Sequence, residues 1–320
     1  MSRASVGRRL VRSAFVGILL ASMLHPILAQ DAPVSSPFRC GGTASRPILN
    51  VAHAGASSLA PQNTIAAGRT ALAVGADVWG VDVRVTRDGA LILMHDETLD
   101  RTTDVEDRFP SRAPWRVADF TLDEILTLDA GSWFVEADPF DQIAEGIVSD
   151  DALASYVGEP VPTLRDALEF VAAENWLIDI EIKAPSEDRR RAVAERLLVL
   201  IEETETLDRV LVSSFDHKFL RELRALEPAV LCGALVIFQP LDPLRYLLAL
   251  GVDVYLPSPV GFTDALLIEL EAEGIQVIVW TYNTPEQLEY AVELPGVDGI
   301  YTDFPQRLAP LLEARREETP

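Results

Sequence analysis

The feature that most constrains the fold is a regular alternation of short β-rich runs with amphipathic segments after about residue 47. A glycine followed two residues later by aspartate marks the return from helix to strand at Gly75, Gly251 and Gly296. Glycine just past a helix end takes a left-handed conformation that other residues resist. Such alternation predicts parallel strands joined by crossover helices. Candidate strands cover residues 48–52, 78–83, 91–94, 177–182, 210–213, 231–236, 254–256, 276–280 and 299–302.

About eight strand–helix units in one series favour a closed (β/α)8 TIM barrel over an open sheet. We therefore predict one α/β barrel domain over residues 47–316. No clear strand is visible between His95 and about Pro160, so we predict an insertion at about residues 97–160 beside the barrel mouth. Because the loops that follow barrel strands hold the active site, this insertion would shape the access of a substrate.

Residues 1–29 have the layout of a secretory signal peptide. A basic start precedes an apolar run at residues 14–24, which is too short to span a bilayer, and Pro26 follows it. We predict that cleavage leaves residues 30–46 as a mature N-terminal tail, without stable membrane insertion. The expected location is periplasmic or secreted, and an uncleaved N-terminal anchor is the alternative.

The sequence contains two cysteines, Cys40 and Cys232. Export makes a disulfide between them permissible, but the sequence shows no geometry that would decide whether they pair. Two isolated cysteines also make no metal-binding motif. The paired and unpaired states therefore both stay open.

The chain is strongly acidic, with a formal net charge of −23. A field of this sign repels nucleic acid and anionic membrane surfaces, so we expect neither as a partner. The same field would slow the approach of a phosphate anion unless the binding site holds local positive charge. A metal ion would supply such charge, and adaptation to a salty environment is another explanation for the acidity.

Two histidines directly follow predicted strands, His53 after residues 48–52 and His95 after residues 91–94. Both positions are carboxyl ends of strands, where barrel active sites lie. Imidazole titrates near neutral pH, so two of them can divide the work of general base and general acid. We predict that His53 and His95 are catalytic. The alternative is two hydrogen-bonded structural histidines.

Acidic residues are placed where they would face the barrel interior. Asp82 lies on the second predicted strand, and Asp179, Glu181 and Lys183 alternate along the 177–182 strand and just beyond it, so these three share one face. Interior carboxylates are costly unless they are paired or bind metal. Oxygen ligands suit Ca²⁺ or Mg²⁺. The alternative is a salt bridge between these carboxylates and Lys183.

Taken in their order along the chain, the motifs resemble those of the glycerophosphodiester phosphodiesterase family. They include a His-x-Gly motif at residues 53–55, Pro-Gln-Asn-Thr at 61–64 and His-Asp at 95–96. Any one motif is weak, but the set follows the family in order and spacing over nearly the whole chain after the signal. The similar segments are 51–55, 60–64, 75–77, 82–89, 95–103, 128–131, 162–164, 180–183, 213–215, 279–283 and 297–305.

The resemblance implies a barrel with a small insertion after the second histidine segment, and a divalent metal, usually Ca²⁺ or Mg²⁺. It implies a small-molecule phosphodiester as partner and a role in lipid metabolism. The reaction it implies is hydrolysis of glycerophosphodiesters to glycerol 3-phosphate and an alcohol, with the substrate's own glycerol hydroxyl attacking first. By position, the implied roles are an acid/base pair at His53 and His95, metal ligands at Asp82 and Glu181, and substrate contacts at Lys183 and Trp280.

Three positions depart from the family pattern. Ala54 replaces an arginine that would contact phosphate, and Gln62 replaces a glutamate but can still hydrogen-bond to substrate. Gly80 replaces a glutamate that would be a metal ligand. We expect Asp179 to be a candidate replacement ligand because it lies on the same strand face as Glu181.

Three functions remain open at this stage. The first is an active, metal-assisted glycerophosphodiester phosphodiesterase, supported by the two histidines together with Asp82 and Glu181. The second is a degenerate barrel that binds a phosphodiester-like ligand with little turnover, supported by the losses at positions 54 and 80. The third is a hydrolase of a different phosphodiester, because a weaker phosphate clamp suits a bulkier or less charged substrate.

Overall fold

A computed structural model of the chain describes residues 47–318, together with Met1 and Phe38. By its contacts the chain divides into Met1–Val34 and Ser35–Pro320, and the fold below belongs to the second unit. The predicted signal peptide and tail lie outside the described residues except for Met1 and Phe38. Cys40 also lies outside them, so its pairing with the buried Cys232 is not tested.

Eight parallel strands close into a barrel, as predicted. The series β1–β2–β4–β5–β6–β7–β8–β9 is paired strand to strand, and pairing of β9 with β1 closes the ring. The strands are β1 (Leu49–His53), β2 (Val78–Val85), β3 (Leu91–Leu93), β4 (Leu177–Ile182), β5 (Val210–Ser214), β6 (Leu231–Val236), β7 (Val254–Pro257), β8 (Gln276–Val279) and β9 (Gly299–Thr302).

Helices follow the barrel strands, and local sequence sets their ends. Thr284 with Gln287 and Thr121 with Glu124 form capping boxes, and Gly251, predicted to follow a helix, ends its helix with φ of 71°. The helices are α1 (Ile65–Ala73), α2 (Val105–Arg108), α3 (Leu122–Ile125), α4 (Ser132–Ala137), α5 (Asp150–Tyr156), α6 (Leu164–Ala173), α7 (Arg190–Glu203), α8 (His217–Leu226), α9 (Pro243–Leu250), α10 (Asp264–Ala272), α11 (Pro285–Val292) and α12 (Pro305–Glu318).

The prediction that residues 91–94 form a barrel strand was wrong. The chain reverses in a tight turn at Thr86–Ala90, where Gly89 has φ of 87°, and β3 then pairs antiparallel with the end of β2. A turn this short leaves no room for a crossover helix, so β3 lies outside the ring. The amide of Met94 donates to the carbonyl of Asp82 at 2.9 Å. His95 therefore still lies beside the carboxyl end of β2.

The segment predicted as an insertion, 97–160, contains the short helices α2–α5 and lies between β3 and α6. Its first part packs on a separate apolar cluster, in which Leu99, Phe120 and Ile125 are fully buried. Its second part packs on the main core through Phe134 and Tyr156. Across residues 47–318, no helix is both long and apolar enough to cross a membrane.

The interior of the barrel differs between its two sides. The strands β5 to β8 contribute Leu211, Leu235, Leu256 and Ile278 to a buried apolar cluster, which residues of β1, β2 and β9 complete. On the opposite side, paired register places Asp82 beside Glu181 on neighbouring strands β2 and β4. One barrel thus has a charged wall and an apolar wall, and both reach its carboxyl end.

Candidate active site

A cavity of about 160 Å³ opens at the carboxyl ends of the barrel strands. Six of the eight side chains predicted to form the site line it, and Gln62 and Asp179 do not. The lining residues are His53, Gly80, Val81, Asp82, His95, Glu181, Lys183, Ser213, Phe215, Leu235, Trp280, Thr281 and Tyr301.

His53 is held by a carboxylate that follows β9. Its Nδ1 lies 2.8 Å from Oδ1 of Asp303. Asp303 also accepts hydrogen bonds from Ser57 at 2.9 Å and from Asn283 at 2.6 Å. Because an ionised carboxylate only accepts, Nδ1 of His53 carries the proton and Nε2 remains for a ligand in the cavity.

Asp303 also changes the protonation of His53. Burial alone disfavours the imidazolium and lowers its pKa, but the hydrogen bond and charge of Asp303, together with the charge of Asp82, outweigh burial and raise the pKa to about 9. His53 is therefore cationic at neutral pH.

His95 has a similar support on the other side of the cavity. Its Nδ1 lies 2.7 Å from Oδ1 of Asp96, and the other oxygen of Asp96 accepts a bond from Nε of Arg101 at 2.5 Å. Burial tends to raise the pKa of Asp96, but its bonds to Arg101 and His95 lower it overall. Gln62 lies behind this group and accepts from Arg101 at 3.4 Å.

Lys183 lies between two carboxylates at the charged wall. Its Nζ is 2.7 Å from Oδ1 of Asp82 and 2.7 Å from Oε1 of Glu181. Asp82 also accepts from Asn63 Nδ2 at 2.7 Å. The salt bridge that was the alternative to metal binding is thus present in the structure.

The charges in this cluster do not cancel. Burial tends to raise the pKa of Asp82, but the ammonium of Lys183 and the nearby histidines lower it overall. The pKa of Glu181 is raised, first by burial and then by the charge of Asp82. Two carboxylates against one ammonium leave one negative charge when all three are ionised.

The place of the missing glutamate at position 80 is filled by Tyr301. A Cβ added to Gly80 would lie 2.5 Å from Cε1 of the tyrosine ring. The phenol donates a hydrogen bond to Asp179, which is almost fully buried and lies outside the cavity lining. Burial raises the pKa of Asp179 to about 7 despite the hydrogen bond from Tyr301.

Asp82 and Glu181 remain as possible ligands of a divalent ion, and their arrangement can be compared with what such an ion needs. Among the described residues no group of three or more His, Cys, Asp or Glu side chains is arranged to hold a metal. Asp82 and Glu181 nevertheless form a pair of hard oxygen donors with one uncompensated negative charge. Mg²⁺ is commonly bound by one or two carboxylates together with water and substrate phosphate. The two residues present fit an ion of that kind, completed by the substrate.

Comparison with known proteins identifies the family of this chain. Residues 53–307 match the glycerophosphoryl diester phosphodiesterase family. A glycerophosphodiester phosphodiesterase from Caldanaerobacter subterraneus subsp. tengcongensis is 34% identical over 82% of this chain and 97% of its own length. A glycerophosphodiester phosphodiesterase from Bacillus altitudinis is 32% identical over 82% of this chain and 97% of its own length.

Two solved structures share the fold. The putative glycerophosphoryl diester phosphodiesterase from Silicibacter pomeroyi aligns with a TM-score of 0.73 at 24% identity, over 85% of this chain and 95% of its own. A phosphodiesterase from Oleispira antarctica, solved with the product sn-glycerol-3-phosphate, aligns at 0.70 and 24% identity, over 84% and 97%.

The protein is a phosphoric diester hydrolase with a barrel fold and a cavity lined by two histidines. The chain is a member of the glycerophosphoryl diester phosphodiesterase family, whose members generally depend on a metal.

The sequence did not predict a functional role for several residues of the site. Asp96 lies in the His-Asp motif at residues 95–96. Asp303 lies in the 297–305 segment, and its place just after a strand was a usable signal. Asn63 lies in the Pro-Gln-Asn-Thr motif. Tyr301 had no signal, because only closure of the barrel sets its ring against Gly80.

Proposed function

We propose that this hydrolase cleaves glycerophosphodiesters to glycerol 3-phosphate and an alcohol, with His53 and His95 as its acid/base pair. The observation that carries the proposal is the presence of both imidazoles in one cavity with Asp82, Glu181 and Lys183. The names of the two bacterial relatives and the product bound in the Oleispira antarctica structure support the same substrate class.

The protonation of His53 supports one division of the two roles. His53 carries a proton at neutral pH, because its pKa is raised to about 9, so it serves as the general acid that protonates the leaving alkoxide. His95, oriented by Asp96, accepts the proton of the attacking glycerol hydroxyl. The P–O bond to the alcohol breaks and a cyclic phosphate forms. Water then opens the ring with the two histidines in exchanged roles.

The charged wall binds the phosphate. Asp82 and Glu181 would hold a Mg²⁺ or Ca²⁺ ion, which when bound supplies positive charge that polarises the phosphate oxygens. Lys183 exchanges one carboxylate partner for a phosphate oxygen, which offsets the loss of the arginine at position 54. The indole of Trp280, fixed by a 2.7 Å bond from Nε1 to the carbonyl of Leu256, flanks the substrate.

The first experiment measures hydrolysis of glycerophosphocholine by purified mature protein, with EDTA and then with Mg²⁺ or Ca²⁺ added. We expect turnover that depends on the ion. The His53→Ala and His95→Ala variants should each lose at least about a hundredfold in kcat, because general acid–base catalysis contributes on that order. His217→Ala is the matched control, since His217 does not line the cavity. Full activity in both site variants would remove the acid/base assignment.

The packing of Tyr301 against Gly80 favours one second candidate, a barrel that binds the phosphodiester with little turnover. Calorimetric binding of glycerol 3-phosphate by folded protein that turns over no substrate with either ion would support it.

The place of action is also a proposal. We propose that residues 1–29 are removed on export and that the enzyme acts in the periplasm or outside the cell. Mass spectrometry of the N-terminus of protein recovered from the periplasm or medium tests this. Recovery of the full-length chain in the membrane fraction would instead support an uncleaved anchor.

A further inference from the structure

Lysine is rare in this chain, and one of its lysines lies in the cavity. Lysine and arginine together number 27, and only Lys183 and Lys218 are lysines. Lys218 is exposed near the start of α8, whereas the side chain of Lys183 is 13% exposed and lines the cavity. An ammonium on a flexible stem changes partners more readily than the planar guanidinium of arginine, which binds two oxygens at once. Position 183 therefore carries the basic side chain that is better suited to exchanging partners.

Lys183 holds both carboxylates that the proposed function assigns to a divalent ion. Its Nζ lies 2.7 Å from Oδ1 of Asp82 and 2.7 Å from Oε1 of Glu181. The second oxygen of Asp82 accepts a hydrogen bond from Asn63 at 2.7 Å. Lys183 is thus itself a cation bound by these two carboxylates. Because like charges repel, it opposes a second cation on the same oxygens.

The described residues offer no third carboxylate in the cavity lining that would relieve this competition. Tyr301 fills the space beside Gly80, where an added Cβ would lie 2.5 Å from its ring. Asp179 accepts a hydrogen bond from the phenol of Tyr301 and does not line the cavity. An ion at this wall therefore has to share the carboxylates that Lys183 already holds.

Lys183 needs another anionic partner before it can release a carboxylate. Its backbone is fixed by a hydrogen bond from its amide to the carbonyl of Val83 at 3.1 Å, so the exchange involves the side chain alone. A largely buried ammonium without a partner is costly. A phosphate group in the cavity offers the ammonium charged oxygens in place of a carboxylate. Each carboxylate that Lys183 releases then becomes available to the ion.

We propose that Lys183 competes with the divalent ion for Asp82 and Glu181 until a phosphate group draws it away, so that phosphate and ion bind cooperatively. The inference rests on the proposed function, from which it takes the ion ligands and the phosphate. Such coupling is reciprocal, so phosphate and ion each raise the affinity for the other by the same factor. Direct contact between ion and phosphate adds coupling of its own, so the contribution of Lys183 is measured as a difference between variants.

The test measures Mg²⁺ binding by calorimetry, with and without saturating sn-glycerol 3-phosphate. The heat of mixing Mg²⁺ with glycerol 3-phosphate alone is subtracted. In the wild type, we expect the phosphate to tighten Mg²⁺ binding by more than about tenfold. Lys183→Met should bind Mg²⁺ about tenfold more tightly than the wild type when phosphate is absent, because the competing cation is gone. Its coupling factor should be about tenfold smaller.

Arg84→Met is the matched control for the loss of one positive charge. The guanidinium of Arg84 also interacts with the charges of Asp82 and Glu181, but its Nε donates to the carbonyl of His95 at 2.9 Å. Loss of this charge should strengthen Mg²⁺ binding equally with and without phosphate and leave the coupling factor unchanged. Equal coupling in the wild type and Lys183→Met would overturn the inference. So would an equal loss of coupling in both variants, or no binding of Mg²⁺ to folded wild type.

The wild type also gives a measurement that needs no variant. Labelling with [¹³Cε]lysine marks two side chains for NMR, and the exposed Lys218 serves as the internal reference. We expect glycerol 3-phosphate alone to shift the signal of Lys183 and not that of Lys218. An unmoved Lys183 signal would overturn the inference.

Turnover of glycerophosphocholine tests the proposed function separately. If folded protein turns over nothing but shows coupling that depends on Lys183, the proposed function fails and the inference about binding stands. Turnover without coupling that depends on Lys183 would give the reverse result.

Discussion

At the scale of single residues, the side chains of the candidate site depend on charged partners. These partners fix the orientation, tautomer or protonation of the side chains that they contact. Asp303 fixes the tautomer of His53 and keeps its ring protonated, and Asp96 fixes the ring of His95. Lys183 holds two carboxylates that would otherwise repel each other. Each partner acts through charge in a half-buried site, where charge acts more strongly than it does in water.

The Asp303→Asn variant tests how His53 is kept protonated. With the carboxylate present, the pKa of His53 is raised above 6.5 to about 9, so the protonated form is present below that pH and is lost as pH rises through it. Without the charge, burial dominates and the pKa falls. We expect the alkaline limb of the kcat/KM profile to move down by about one to three pH units.

Asp303→Glu keeps the charge and serves as the control for this experiment. It should retain more of the alkaline limb than the asparagine variant. An unchanged profile in Asp303→Asn would mean that His53 is not the group whose protonation limits the rate.

The Gly80→Glu reversal tests the packing of Tyr301. The ring is buried and cannot move away from a Cβ 2.5 Å distant, so the single variant should lose about 1 to 3 kcal/mol of stability without a gain in activity. Gly80→Glu with Tyr301→Ala makes room for the carboxylate. We expect the double variant to bind Mg²⁺ more tightly than Tyr301→Ala alone in calorimetry. Tight binding and full stability in the single variant would contradict this.

At the scale of elements, the β2–β3 hairpin places His95 at the cavity of the barrel, although β3 is not one of the barrel strands. The turn at Thr86–Ala90 reverses the chain, and the Met94–Asp82 backbone bond sets the position of His95. The first part of the following insertion packs on its own apolar cluster. The second histidine therefore depends on the geometry of one turn.

The Gly89→Ala variant tests that dependence. Gly89 has φ of 87° and no neighbour within 4 Å of an added Cβ, so the cost comes from backbone conformation alone. We expect about 1 kcal/mol of lost stability in urea unfolding, together with a lower kcat. Gly89→Asn is the matched control and should lose less, because asparagine tolerates the left-handed region better. Equal losses in the two variants would argue against a backbone cause.

At the scale of the whole molecule, the net negative charge and the two walls of the barrel interior influence which substrates approach the cavity. A chain with a net charge of −23 repels anionic substrates at long range. Lys183 and His53 offer local positive charge in the cavity, although Asp82 and Glu181 leave the charged wall with a net negative charge. The overall field therefore favours substrates with little net charge.

Ionic strength tests this. Salt screens repulsion over about 10 Å at 0.1 M, so kcat/KM for the anionic glycerophosphoglycerol should rise by about two- to fivefold between 10 and 150 mM NaCl. Glycerophosphocholine, which has no net charge, is the control and should change little. A fall in kcat/KM for the anionic substrate would show that local attraction at the site outweighs the overall field.

Much of this molecule was predictable because its signals are local. The strand–helix alternation, the capping boxes and the glycines past helix ends each reflect neighbouring residues, so they gave the barrel and the bounds of most elements. Residues two apart on one strand share a face, which identified Glu181 and Lys183 together. Because His53 and His95 directly follow predicted strands, the sequence predicted that both would lie at the cavity.

What the sequence alone determined is therefore the alternation of strands and helices, the parallel direction of the eight barrel strands and the polar residues at the strand ends. The tertiary structure decided which of these meet. Closure of the ring sets β9 beside β1, which places Asp303 on His53 and Tyr301 against Gly80, across about 250 and 220 residues of chain respectively. Closure also left β3 outside the ring. It placed Asp179 outside the cavity lining, where it accepts a hydrogen bond from the phenol of Tyr301. Such pairings depend on packing between distant segments, for which local periodicity holds no information.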